Sequence, residues 1–223
     1  MRVHPLDSKL YDNIRFKLRK IDKQLPQKVL ADKVTPTTID SLIVLGDGRE
    51  DYVVVPLICH HLNGNKTAAM VKPTFTRDGA IPTLKTIVKN YKTIAFILDQ
   101  EKHELSELSN IIRMKLNEIG IKCEEIENSV GDRVILYECN LGDYRFRFVV
   151  VVNGVEDVGS HSHKIEDHLV RLAGVTVQND SKDTWNELGE EERLEVFRRI
   201  RDDRNVAEKV FKQHFEGLRL LEC

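Results

Sequence analysis

Long apolar runs are missing from this sequence. No stretch of its 223 residues approaches the roughly 18 consecutive apolar residues of a membrane span, so no membrane is expected as a partner. The first twenty residues, MRVHPLDSKLYDNIRFKLRK, contain no apolar core, which argues against a secretory leader. Cysteine is sparse: residues 59, 123, 139 and 223, with no C-x-x-C spacing. That argues against a zinc ribbon and against a disulfide framework, and it fits a reducing cytoplasm. Charge of one sign is also missing. Lys and Arg number 34 against 36 Asp and Glu, a net charge of −2, so the chain as a whole lacks the field of a non-specific DNA coater. Any contact with nucleic acid must come from local patches or bound cations. The glycine-rich GDGRED lacks the Gly-Lys-Ser/Thr ending of a P-loop, and Asp51 stands where a dinucleotide fingerprint would need its last glycine. Sustained heptads, internal repeats and low-complexity tracts are absent as well.

What is present is a folded-protein composition, 41% hydrophobic and 31% charged, in a length suited to one good-sized domain with additions. Residues 7–33 read as helix, with Asp7 or Ser8 as N-cap and Leu10, Ile14, Leu18 and Ile21 at helical spacing. Residues 1–35 carry nine Lys/Arg against four Asp, a local excess of +5 that fits a solvated face and could also meet phosphate. The middle of the chain alternates element types. Ser41–Leu45 and Lys66–Val71 read as strands, Ala80–Asn90 as a helix with Pro82 in its first turn, and Thr93–Leu98 as a buried strand. Leu105–Ile119 reads as an amphipathic helix, Ile121–Ile126 and Arg145–Val152 as strands, and Lys164–Ala173 as a helix. Arg145 and Arg147 are expected to face outward from a strand whose Phe146 and Phe148 face the core. Residues 51–62, DYVVVPLICHHL, mix a β-branched run with one helical apolar face and read as a helix kinked at Pro56. Residues 181–221 read as a polar helical hairpin, with a capping box at Thr184-x-x-Glu187 and Glu190–Glu192 at a helix start. This hairpin is expected to pack on the core or on a second copy of the chain, as a homodimer. The β-α-β alternation with near-continuous apolar strands defines an α/β class with a mostly parallel sheet covered by helices on both faces.

In such a sheet, ligands bind outside the carboxyl ends of the strands. Asp47 follows the first central strand, set between Gly46 and Gly48. Asp99 and Glu101 follow TIAFIL, and in an extended backbone their i, i+2 spacing puts them on one side. Asp47, Asp99 and Glu101 could thus form an all-oxygen pocket for a hard cation such as Mg²⁺. Arg49, Lys72, Arg77 and Lys102 flank it and supply charges for phosphate. His103 lies within reach of the same pocket. His161-Ser162-His163 precedes Glu166-Asp167; two histidines near an acid suit a transition metal, while the two acids suit the first turn of a helix. His60-His61 reads as the exposed end of the residue 51–62 helix.

The motif Asp47-Gly48-Arg49-Glu50-Asp51 resembles the Glu-Gly-x-x-Asp signature after the first strand of Toprim domains, and Asp99-Gln100-Glu101 resembles their Asp-x-Asp motif after a later strand. The stretch GSHSHKIEDHL, residues 159–169, is similar to the Gly-x-x-Glu-Asp-like segment of small stand-alone Toprim-like proteins, and OLD-type nucleases share this core. The resemblance spans roughly residues 40–175. It implies residues 1–39 as a helical extension, 40–178 as a Toprim-like domain and 179–223 as C-terminal helices. It further implies Mg²⁺- or Mn²⁺-dependent phosphodiester chemistry on DNA or RNA, most simply a nuclease. Asp47 would then serve as acid/base or ligand and Asp99 and Glu101 as metal ligands. Asp51 would cap or orient the following helix, and Glu166 or Asp167 would add an outer ligand. Two departures stand out, Asp at 47 for the family's Glu and Glu at 101 for its second Asp. They motivate an alternative, a catalytically inactive module that binds nucleotide or nucleic acid within a larger complex. A receiver-like or flavodoxin-like domain with an incidental acidic pocket is a third reading, and it requires the acids to lie apart.

Overall fold

The computed structural model describes residues 1–31, 39–46, 48–62, 66–73, 77–126, 133–160 and 162–221, with side chains from 81 onward in the segment that begins at 77. The chain opens with strand β1 (Arg2–Pro5), then helices α1 (Ser8–Ile21) and α2 (Leu25–Val29). Strand β2 (Ser41–Leu45), helix α3 (Asp51–His61), strand β3 (Thr67–Val71) and helix α4 (Arg77–Ile87) follow. Next come β4 (Thr93–Asp99), α5 (Leu105–Glu118) and the strands β5 (Lys122–Glu125), β6 (Val134–Leu141) and β7 (Tyr144–Asn153). Helix α6 (Ile165–Ala173) leads to four further helices: α7 (Ser181–Glu187), α8 (Glu190–Asp202), α9 (Arg204–Val210) and α10 (Lys212–Arg219).

The strands form one seven-stranded sheet in the order β1-β3-β2-β4-β7-β6-β5. Only the β5–β6 and β6–β7 pairings are antiparallel; β1, β3, β2, β4 and β7 run parallel. β2 is buried at every position and β4 at all but Asp99, so neither has a solvent face and both sides need cover. Ile43, Leu45, Ala95, Ile97, Val149 and Val151 point to one face, where α1, α2, α3, α6 and α8–α10 pack. Leu42, Val44, Ile94, Phe96, Phe148 and Val150 point to the other, under α4 and α5. Period-two alternation thus divides each central strand between two cores. Phe146 and Phe148 are buried and Arg145 is exposed, the expected alternation.

From β2 the chain crosses toward β3, and from β4 it crosses toward β7 and the far edge. The connections therefore diverge between β2 and β4. Doubly wound sheets place their ligand crevice at such a switch point, over the carboxyl ends of the two strands.

Several local expectations change. Residues 51–61 are one helix despite Pro56, because a buried apolar face on both sides outweighs one missing backbone hydrogen bond. α4 begins at Arg77, so Pro82 lies inside it. Residues 2–5 add an edge strand beside β3 that is too short to show a period. The C-terminal stripes form four short helices. α7 is capped by Asp180, whose side chain accepts from Lys182 N, and Thr184 lies inside it. α8 starts at Gly189, with Glu190–Glu192 in its first turn and the Glu192 carboxylate accepting from Gly189 N. Asp203 ends α8 and caps α9 by accepting from Val206 N. Phe197, Ile200, Phe211 and Phe215 are buried in the chain's own core. No disulfide framework is expected from the sequence, yet one disulfide is present: Cys123 and Cys139 face each other across β5–β6 and are bonded. A hairpin brings together thiols sixteen residues apart, which linear spacing does not reveal. Among the described residues no helix is long and apolar enough to cross a membrane.

Candidate functional site

The two glycines around position 47 answer to specific neighbours. A Cβ on Gly46 would lie 3.0 Å from the carbonyl oxygen of Ile97 and 3.4 Å from Leu98 Cα, so β2 leaves the sheet hard against the backbone of β4. A Cβ on Gly48 would lie 2.3 Å from Asp51 Oδ2. The Asp51 side chain, at the first position of α3, folds back over that space and is fully buried. Asp47 itself lies outside the described residues.

Opposite Asp51, parallel pairing sets Asp99 at the end of β4 beside Asn153 at the end of β7. Asn153 holds the acids together. Its Nδ2 donates to Asp99 Oδ1 at 2.8 Å and to Asp51 Oδ1 at 3.1 Å. The two carboxylate oxygens are therefore less than about 6 Å apart, each within hydrogen-bond reach of one nitrogen. Asp99 Oδ1 also accepts from the backbone N–H of Ile165 at 3.1 Å, the first residue of α6. Glu166, the next residue, is buried in the first turn of α6. The charges of Asp99, Asp51 and Glu166 act on one another.

Burial is the first cause of the unusual acidities here. It raises Asp51 well above the usual carboxylate range, and the Asp99 charge adds to that effect; Asn153 and Lys72 pull the other way. Burial and then Asp99 push Glu166 up to about 7. Three buried carboxylate oxygens, Asp51 Oδ2, Glu166 Oε2 and Glu50 Oε2, have no hydrogen-bond partner among the described residues. A buried polar oxygen without a partner is costly, and such exceptions call for an explanation.

Behind Asn153 is a buried polar train from α6 and α10. His214 Nε2 donates to Asn153 Oδ1 at 2.7 Å, which orients the amide so that its N–H₂ faces the acids. His168 Nδ1 donates to the Val210 carbonyl at 2.7 Å, while its Nε2 accepts from Gly154 N at 3.2 Å and from Gln213 Nε2 at 3.0 Å. Both imidazoles are neutral. Burial lowers His168 to about 4 and holds His214 well below its ordinary value, where neighbouring His168 adds a smaller push.

The other residues singled out from sequence fall as follows. Glu101 is exposed, and its backbone is left-handed with φ 58°, bridged to His163 through Glu101 N to His163 O at 2.9 Å. The extended register ends at Asp99, so the same-side argument for Asp99 and Glu101 does not hold. His103 pairs with Glu107 at 3.3 Å. Asp167 is fully buried and engaged by Ser181 Oγ, His163 Nδ1 and Val155 N, all away from a ligand role. Lys72 donates to the Gly48 carbonyl and lies over the Tyr52 ring, on the Asp51 side of the cluster. Arg49 and Lys102 are exposed. His161 and the Arg77 side chain lie outside the described residues. His60 and His61 sit in the last turn of α3, half-buried, with the His61 ring nitrogen against the Ile200 carbonyl.

Sequence reasoning missed Asn153, His214, His168 and Gln213. Asn153 had a signal, since it follows VVVV as Asp99 follows TIAFIL. The residues of α6 and α10 had none.

A cluster of Asp51, Asp99 and Glu166 offers only oxygen donors, the chemistry that hard divalent cations prefer. The unpaired buried oxygens of Asp51 and Glu166 are of the donor type such an ion prefers, and a cation would give them the partner they lack. Among the described residues, no group of three or more His, Cys, Asp or Glu side chains is placed so that it could hold a metal ion. Comparison with family models, with curated proteins and with solved structures found no match for this chain.

Proposed function

We propose that this chain is a Toprim-like protein that carries out Mg²⁺- or Mn²⁺-dependent phosphodiester chemistry on nucleic acid, most simply as a nuclease. One observation carries the reading: Asp51 and Glu166 keep buried, unpartnered oxygens beside Asp99 at the sheet's switch point. Asp99 and Asp51 would hold the cation, with Asp47 completing the set in the manner of the resemblance and Glu101 at the exposed rim. A bound divalent cation neutralises charge building on a transferring phosphoryl group. Glu166, poised at about 7, is suited to hold or release a proton at neutral pH. Asn153 fixes the spacing of Asp51 and Asp99, and His214 fixes Asn153.

The second reading is a binding module without turnover, favoured by the exposed, left-handed Glu101 in place of a paired second aspartate. A cleavage assay over single- and double-stranded DNA and RNA with Mn²⁺ separates the two. Asp99→Asn should lower cleavage at least about a hundredfold, the scale of losing a main charge-stabilising group. Undiminished cleavage by Asp99→Asn would sink the site assignment. Mn²⁺ binding by the wild type with no cleavage across the panel would favour the binding module.

A further inference from the structure

The outer face of α1 is basic and carries a large exposed aromatic. Phe16 is 60% exposed, while Leu10, Ile14, Leu18 and Ile21 on the opposite side are buried. Arg15, Arg19 and Lys20 surround Phe16, with Asp12 at the margin, and the Lys20 ammonium lies 5.0 Å from the ring centroid. Between Ser8 and Ile21 the helix has five Lys/Arg against one Asp in a chain whose net charge is −2. An exposed phenylalanine ringed by cations gains nothing from its own fold, since it adds no burial.

This face adjoins a cleft that reaches the start of α3. Lys17, Lys20 and Arg193 of α8 line a cleft together with Glu190, which is ion-paired with Lys20, and the cleft reaches Glu50 and Val53 at the start of α3. Lys20 belongs to both the exposed face and the cleft. Glu50 immediately precedes Asp51, and its charge is among those acting on Glu166. Three cations, Lys17, Lys20 and Arg193, thus outnumber the two acids, Glu50 and Glu190, in a cleft that joins the α1 face to the residue before Asp51.

We infer that the α1 face, continued by Arg193, is a binding surface for single-stranded nucleic acid whose track leads into the acid site. The choice of polyanion follows from charge complementarity, and the choice of single strand follows from Phe16. Bases in a duplex hide their faces, whereas an unpaired base can stack on an exposed ring beside backbone-tracking cations. The direction of the track rests on the phosphodiester reading of the acid site; the binding itself does not.

The test is fluorescence anisotropy with a labelled 20-nucleotide DNA strand, the RNA strand of the same sequence and the DNA duplex, all in EDTA so that neither metal nor turnover enters. Wild type is compared with Phe16→Ala and Arg15→Ala/Arg19→Ala. These side chains are exposed, so unchanged thermal midpoints should accompany the substitutions. Phe16→Ala should weaken single-strand binding about 5- to 150-fold. The double arginine variant should reduce the slope of log affinity against log salt by about 1.4. Binding of either single strand with these losses supports the surface, and the stronger of the two assigns the sugar. Absence of single-strand binding, or binding that Phe16→Ala leaves intact, overturns it. So does self-association of the chain that Phe16→Ala abolishes while strand binding persists. Two further outcomes separate this inference from the catalytic reading. Strand binding through Phe16 with no cleavage in any metal keeps the surface and removes the nuclease. Cleavage that needs Asp99, in α1 variants that bind as wild type does, keeps the nuclease and removes the surface.

Discussion

Glu166 and His168 stand two residues apart on α6, and burial drives their acidities in opposite directions. Glu166 is raised to about 7 by burial and then by Asp99, and His168 is lowered to about 4 by burial. Both shifts become stability through proton linkage. For Glu166, the folded state binds the proton more tightly than the unfolded chain. Its contribution is fully present below the ordinary carboxyl value of 4.5 and is lost as pH rises through about 7. For His168, the contribution is present above the ordinary 6.5 and is lost as pH falls through about 4. Each is worth about 3 kcal/mol. Urea unfolding in EDTA should therefore show wild type losing stability between pH 4.5 and 7 through this glutamate, and Glu166→Gln should remove that limb. The acid-side loss should survive in the same variant, because His168 is untouched. A Glu166→Gln protein that follows the wild-type pH curve would show that the glutamate is not held as described.

At the scale of elements, α10 is pressed onto the sheet closely enough that one hydrogen matters. A Cβ on Gly217 would lie 2.3 Å from Val151 Cγ2. Alanine favours a helix over glycine by about 1 kcal/mol, but the overlap must move either α10 or β7, and overpacking of this kind costs about 1–3 kcal/mol. Gly217→Ala should lower stability in chemical unfolding despite its better helix propensity. Because α10 also carries His214 and Gln213, Mn²⁺ affinity measured by calorimetry should fall with it. Stabilisation by Gly217→Ala would mean that the helix sits farther from the sheet. The elements themselves were unevenly legible. TIAFIL and the stripe of Leu105–Ile119 declare β4 and α5 because burial imposes period on local sequence. β1 is set by pairing with the distant β3 and nothing local marks it, whereas β6 turns into β7 through Gly142-Asp143, a hairpin signal that the sequence reading passed over. The breaks at Gly189, Asp203 and Phe211 divide a stripe that reads as a simple hairpin. Within the site, Asp99 is visible as a carboxylate just past a strand. Asn153 matters because parallel register sets it opposite Asp99, and His214 because it meets Asn153 from 61 residues away. Neither relation exists before the chain folds.

The molecule gathers three carboxyl groups, Asp51, Asp99 and Glu166, at one place, so a cation that binds there should stabilise the entire fold. At a concentration one hundred times its dissociation constant, a ligand bound only by the folded state adds about 2.7 kcal/mol. For a chain of this size that corresponds to a rise of about 5–11 °C in Tm. Calorimetric scans with and without Mn²⁺ should show this rise in wild type and lose it in Asp99→Ala/Asp51→Asn. An equal rise in both proteins would place the ion elsewhere.

The Asn153–His214 contact has a consequence for how the protein is made. Asp51, Asp99, Asn153 and Glu166 all leave the ribosome before His214 does. The acids and the amide between them are therefore synthesised first, and the imidazole that turns the amide toward the acids arrives only with α10. Vectorial synthesis assembles this pocket from its walls inward, and the chain presents a finished acid site only once α10 has been translated.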